Sequence, residues 1–181
     1  GTSANMNANE VIANLALEFL GKEHGDYKVV HPNDHVNMAQ STNDAYPTAM
    51  HLGVYMDHLE FMSALDLLIK SFEKKAKEFA KIIKMGRTQL QDAVPMTLGQ
   101  SFGAFANALK HEAKRVDAAA KELLTINMGA TAIGTGITAE PGYAEACTKY
   151  IKEITGWDIK LAKDLVEATH DTSSMVSYSS A

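Results

Sequence analysis

Residues 44–84 read DAYPTAMHLGVYMDHLEFMSALDLLIKSFEKKAKEFAKIIK, and only Pro47 and Gly53 interrupt a stretch otherwise free of helix breakers. In its later part Leu65, Ile69, Phe72, Ala76, Phe79 and Ile83 recur in alternating steps of four and three. That spacing is a heptad seam, and it predicts one helix of roughly 40 residues and 60 Å. Lys and Glu occupy the outer face. A helix of this length needs neighbours of similar length, so the expected fold is all-α: a long-helix bundle contributing to a multi-subunit helical core.

Moving outward, residues 85–95 (MGRTQLQDAVP) are bracketed by Gly86 and Pro95 and read as a loop or short extended piece. A second long helix is expected from Met96 to Asn127. Its seam is Leu98, Phe102, Phe105, Leu109, Ala113, Val116, Ala120 and Leu123. Gly99 and Gly103, four apart, let another helix come close. Residues 129–136 (GATAIGTG) hold three glycines but no following Lys-Ser/Thr and no dinucleotide-binding spacing, so close backbone packing or a turn is expected rather than a phosphate cradle. A further helix runs from Pro141 through Ile154 to a stop at Gly156. Residues 161–181 begin helically and become Ser-rich.

Before the long helix lies His31–Pro47, HPNDHVNMAQSTNDAYP, in which seven of seventeen residues are Ser, Thr, Asn or Asp. Polar residues running into a helix start supply capping groups. Pro47 suits the first turn. The free N–H groups there, with Ser41, Thr42 and Asn43, make a site for an anion. Residues 1–9 (GTSANMNAN) form a second polar cluster. Residues 10–20 form a helix with Val11, Leu15 and Phe19 on one face, stopped by Gly21. No repeat or linker divides residues 1–181, which read as a single region.

Seventeen basic and twenty-two acidic residues give a net charge of −5, against a nucleic-acid surface. The lone Cys147 excludes an internal disulfide framework and suits a reducing cytoplasm. No apolar run reaches the roughly 20 residues of a membrane span, and no signal peptide is visible. His31 and His35 flank Asp34, but Pro32 and the Asn-Asp pair argue against a helical metal pair, leaving hydrogen-bonded loop anchors. His51 and His58 are expected on a packed helix face. Three clusters of uncharged donors remain: Thr2, Ser3, Asn5 and Asn7; Ser41, Thr42 and Asn43; and Arg87, Thr88, Gln89 and Gln91. Such donors suit holding a small carboxylate and stabilising an oxyanion formed from it.

The stretches GTSANMNANEV, HPNDHVNMAQSTNDAYPTAM, GRTQLQDAVPMTLGQ and GATAIGTG, in this order and at these spacings, resemble the class II fumarase/aspartase superfamily. The resemblance runs from Gly1 to about Tyr143 and more loosely to Ala181. It implies a homotetramer with active sites built from several subunits, and no organic cofactor; it leaves divalent-metal activation open. It also implies reversible loss of ammonia from L-aspartate to give fumarate. Relatives with fumarase activity read GTQTNMN, QSSND and GRTH where this chain has Ser3, Thr42 and Gln89. Hydration of fumarate is therefore the alternative activity. A helical oligomerisation module without chemistry is the alternative of another class. Carried over by motif, Thr2, Ser41, Thr42, Asn43, Thr88 and Gln89 contact substrate, and His31, Asn33 and Asp34 match a secondary carboxylate region. The family's catalytic serine belongs to a loop reading GSSxMPxKxNP, which this sequence lacks. Thr172–Met175 imitates it without the Gly, Pro and Lys, so no catalytic base is assigned and the chain alone is expected to be inactive.

Overall fold

A computed structural model describes residues 1–181. It divides into two units, residues 1–54 with 122–176 and residues 55–121 with 177–181. In chain order come α1 (Thr2–Phe19), a single π-helical turn (Pro32–Val36), α2 (Thr42–Glu78), β1 (Ile83–Thr88), β2 (Gln91–Thr97), α3 (Leu98–Glu122), β3 (Thr125–Ile126), α4 (Tyr143–Thr155), β4 (Lys160–Leu161), α5 (Leu165–His170) and α6 (Ser173–Ser180). The helical class holds, with two small sheets added.

In the second unit the two expected seams meet. Phe72 packs on Phe102 and Phe105, Phe79 packs on Phe102, and Lys110 pairs with Glu73. These contacts make α2 and α3 antiparallel. Gly99 is required at their closest approach: a Cβ there would lie 2.5 Å from the Ala76 carbonyl oxygen and 2.7 Å from Ala80 Cα. Further along, buried His58 lies 3.6 Å from Asp117 and 3.4 Å from the Tyr178 hydroxyl, as a packed helix-face histidine should. The helix ends before Ile83, however. Residues 83–97 form an antiparallel hairpin from Ile83↔Thr97 to Thr88↔Gln91, with an irregularity at Gly86/Arg87. Its two-residue turn, Gln89–Leu90, has φ of +51° and +64°, the sign that matches strand twist in tight hairpins.

The first unit buries Leu17, Leu123, Ile126, Ala130 and Ile159. Here α1 starts at Thr2, eight residues before the expected start. The polar cluster is helical because Asn5 and Asn9, one turn apart, both donate to Asn37 Oδ1, at 3.4 and 2.8 Å. Its buried stripe is Asn9, Ala13 and Leu17, whereas Phe19 is 94% exposed. The 31–35 segment also departs from the non-helical expectation. His31 Nδ1 accepts from the Asn33 and Asp34 N–H groups, and the His31 N–H donates to His35 Nδ1, which folds one wide turn. α3 stops at Glu122, and the chain then forms β3, which pairs in parallel with β4. α4 supplies the crossover that a parallel pair needs, and Gly156 ends it in the left-handed conformation. The Ser-rich end is helical, as α6.

Candidate functional site

Capping chemistry shapes the start of α2. Ser41 Oγ accepts from the Asn43 N–H at 3.1 Å, and Asp44 Oδ1 accepts from the Ser41 N–H at 2.9 Å. The pair is a reciprocal capping box with Asp in the third helical position. Pro47 stands inside the helix, at its sixth residue, rather than in the first turn as expected. Its missing N–H would leave the Asn43 carbonyl without an intrahelical donor. Asn127 Nδ2 fills that place at 3.0 Å, and the same amide reaches Thr169 Oγ1 at 3.3 Å. A buried asparagine from the end of β3 thus repairs a helix whose sequence contains a proline.

Asp44 is fully buried, and its second oxygen accepts from the Thr131 N–H at 2.8 Å. That bond ties α2 to the 129–136 loop, where Thr131 holds a φ of +59° and a buried hydroxyl without a partner. Such a backbone is unusual for a β-branched residue and costs about 1–3 kcal/mol. Asn43 Nδ2 reaches the same loop, donating to the Ala132 carbonyl at 2.8 Å. Burial raises the Asp44 pKa above its usual 3.8, against the backbone donors that lower it. A raised folded-state pKa means that ionisation opposes folding. The stability contribution of this carboxyl is full below 3.8 and is lost as pH rises through the raised midpoint. A carboxyl-carbon NMR titration is expected to place the Asp44 midpoint above 3.8; a midpoint below it would mean that the donors outweigh burial.

These anchors shape a cleft of about 480 Å³ lined by Thr2, Thr42, Asn43, Tyr46, Ala132 and Thr169, among others. The structure therefore brings together members of two donor clusters far apart in sequence. The Thr2 and Thr42 hydroxyls make no hydrogen bond within the chain, so both are free for a ligand. At the N-terminus of α2 the Asn43, Asp44 and Ala45 N–H groups all bond to Ser41, so the Thr42 N–H and the helix dipole are what favour an anion. Ser41 serves the cap rather than lining the cleft. Thr88 and Gln89 stand exposed at the hairpin turn of the second unit. His31, Asn33 and Asp34 form the capped π turn. No group of three or more His, Cys, Asp or Glu side chains is placed to hold a metal ion. No helix is long and apolar enough to cross a membrane.

Tyr46 and Ala132 lie within the His31–Pro47 run and the 129–136 loop without standing out there, and Asn127 and Thr169 carry no sequence signal beyond their chemistry; long-range packing recruits all four. A second cavity of about 430 Å³ was equally unforeseen. Its lining includes Met50, His51, Ala162, Ala168, Ser174 and Met175. The 129–136 loop packs closely, as its glycines suggested: a Cβ on Gly129 would lie 2.6 Å from Ala144 Cβ.

The lyase family model matches residues 1–181. Aspartate ammonia-lyase of Pseudomonas aeruginosa is 57% identical over 180 residues, which are 99% of this chain and 38% of that protein. The crystal structure of fumarate lyase:delta crystallin from Brucella melitensis bound to cobalt is similar with a TM-score of 0.97 and 52% identity, over 99% of this chain and 39% of that one. Class II fumarase from Schistosoma mansoni gives a TM-score of 0.93 at 31% identity, over 99% of this chain and 41% of that one. The chain spans about 38% of the length of the curated relatives it matches.

Proposed function

Because the chain belongs to the lyase family whose model spans all of its residues, we propose that it works within an aspartate ammonia-lyase, which eliminates ammonia from L-aspartate reversibly to give fumarate. The observation that carries this reading is the cleft at the start of α2, where the Thr2 and Thr42 hydroxyls, left free by the fold, meet Asn43 and a helix N-terminus. In the elimination a base takes the Cβ proton, and the adjacent carboxylate becomes an enediolate with two negative oxygens. The C–N bond then breaks and the amine leaves as ammonia. Uncharged donors held rigidly around the enediolate stabilise charge where it develops, and rigidity avoids reorganisation during the reaction. Asp44 and Asn127 supply that rigidity by fixing both ends of the first helical turns.

In this reading Thr2, Thr42 and Asn43 bind substrate, Ser41 shapes the helix start, and the general base comes from outside residues 1–181. Thr88 and Gln89, on the second unit, complete the site of another copy in a homotetramer. His31, Asn33 and Asp34 form a secondary carboxylate region beside it. The working compartment is the cytoplasm, in keeping with a single cysteine. The 31% likeness to the Schistosoma mansoni fumarase supports hydration of fumarate as the second reading. The 57% identity to an aspartate ammonia-lyase, with Ser3, Thr42 and Gln89 at the discriminating positions, favours ammonia.

The test is an assay of the full-length gene product with aspartate and with malate, following fumarate. Fumarate from aspartate is the expected result; fumarate from malate alone would transfer the assignment to the hydratase. Residues 1–181 by themselves are expected to make none from either, because a weakly acidic Cβ proton needs a positioned base as well as an anion pocket. Robust elimination by this chain alone would overturn the assignment of the base to residues outside it.

A further inference from the structure

The second cavity holds a serine and a histidine that the ammonia-lyase reading does not use. His51, on α2, approaches the Thr125 carbonyl oxygen with Nδ1 at 3.2 Å. A carbonyl only accepts, so in the neutral ring Nδ1 carries the proton and Nε2 is left as an acceptor. Ser174, in the first turn of α6, places its hydroxyl 3.3 Å from that Nε2. A nucleophile within reach of a base, with the base oriented by a third group, is the arrangement that activates a hydroxyl. Burial lowers the His51 pKa and so keeps the ring in the form that can take a proton.

The neighbouring serine is not equivalent. Ser173 donates its hydroxyl to the Asp171 carboxylate and its N–H to the same side chain, so it is occupied as a cap. The N–H groups of Ser174 and Met175, in the first helical turn, have no partner and lie on the nucleophile and on the residue after it. Those are the backbone positions that receive a carbonyl oxygen as it gains charge. Met50, Ala162 and Ala168 give the cavity apolar wall for a short acyl group. Its charged lining, Glu122, Lys163, Glu167 and Asp171, makes no hydrogen bond to His51.

We propose that Ser174, with His51 as its base, is a second reactive site that accepts acyl groups from small uncharged esters. The Ser174 oxygen attacks the ester carbonyl carbon, and its proton passes to His51 Nε2. The carbonyl oxygen takes the negative charge and faces the Ser174 and Met175 N–H groups. Collapse expels the alcohol, which takes the proton back from Nε2 and leaves the acyl group on Ser174. Water repeats the sequence and releases a carboxylic acid. The orienting group is a carbonyl rather than a carboxylate, so no carboxylate bonded to Nδ1 stabilises the imidazolium, and turnover is slow. This site is independent of the elimination, and either reading stands without the other.

The test uses the full 181-residue chain with a fluorophosphonate probe, in which the serine oxygen displaces fluoride at phosphorus, followed by peptide mass spectrometry. A single adduct on Ser174 is expected. Ser174→Ala should carry no adduct. His51→Gln should label about 10²-fold more slowly, the low end of what a general base contributes, with circular dichroism confirming that it remains helical. Absence of an adduct on Ser174 of the unsubstituted chain, or an adduct on Ser173 instead, would overturn the proposal. So would equal labelling of a folded His51→Gln chain.

Discussion

Thr42→Ala in the full-length enzyme is expected to lower turnover of aspartate by about 10²–10³ while leaving folding close to that of the unsubstituted protein. The two halves of this expectation have separate causes. Thr42 is the first residue of α2, and its hydroxyl bonds to nothing in the chain, so its loss strands no buried partner. Substitutions of that kind usually change stability by no more than about 0.5 kcal/mol. The cap is supplied by Ser41, and the anchoring to the 129–136 loop by Asp44 and Asn43; all three remain. Catalysis, by contrast, loses a donor aimed at the anion pocket. Because the carboxylate gains its second negative charge only as the Cβ proton leaves, that donor matters more in the transition state than in the bound substrate. Turnover and kcat/KM should therefore fall together. Thr88→Ala should behave alike if the second unit of another copy completes the site. Near-normal turnover in both variants would sink the ammonia-lyase assignment of these residues, whereas a loss accompanied by a lowered melting temperature would point to a structural role.

The largest effect on stability is expected from Gly134→Ala. A Cβ at this position would lie 2.3 Å from Val166 Cα and 2.4 Å from the Leu165 carbonyl oxygen, both backbone atoms of α5 that cannot swing aside as a side chain can. Its φ of +96° adds a conformation that only glycine adopts without cost. Overpacking typically costs about 1–3 kcal/mol, and an unfavourable backbone adds about 1–2 kcal/mol. The sum is a large share of the 5–15 kcal/mol by which domains are typically stable. At about 2–4 °C per kcal/mol for a chain of this size, the melting temperature should drop by roughly 10 °C. Gly21→Ala serves as the control. Its φ is also positive, at +66°, but nothing lies within 4 Å of the new methyl, so it should lose only the backbone part. Equal shifts for the two variants would mean that the close approach of the loop to α5 is not what Gly134 provides.

How much of this molecule could be read from its residues depends on how far apart the interacting groups lie. The pairing of α2 with α3 was legible because Ile69, Phe72, Phe102 and Phe105 recur with the helix period, and that period is a local property of the chain. The helix start at Ser41–Asn43, the stop at Gly156 and the close packing of the glycine loop were legible for the same reason: capping and positive φ are settled within a few residues. Placing Ile83 in the seam failed because a hairpin strand and a further helical turn both tolerate IKMGRT. The pairing of Ile83 with Thr97, fourteen residues on, decides between them.

What only the tertiary structure decided is which partner each polar group meets. The spacing of α1 offers Val11, Leu15 and Phe19 as a face, yet Asn9, Ala13 and Leu17 are buried, because Asn37 gives two asparagines a shared acceptor across the chain. Pro47 inside α2 reads as a flaw until Asn127, eighty residues on, supplies the missing donor. The cleft that joins Thr2 to Thr42, and the meeting of His51 with Ser174 across 123 residues, have no local signature at all. Propensity and periodicity act over a few residues and specify the elements of this protein. Its anion cleft and its serine–histidine pair arise where elements pack, because burying a polar group without a partner typically costs about 1–3 kcal/mol, and packing brings that partner from wherever in the sequence it lies, the Thr131 hydroxyl being the exception.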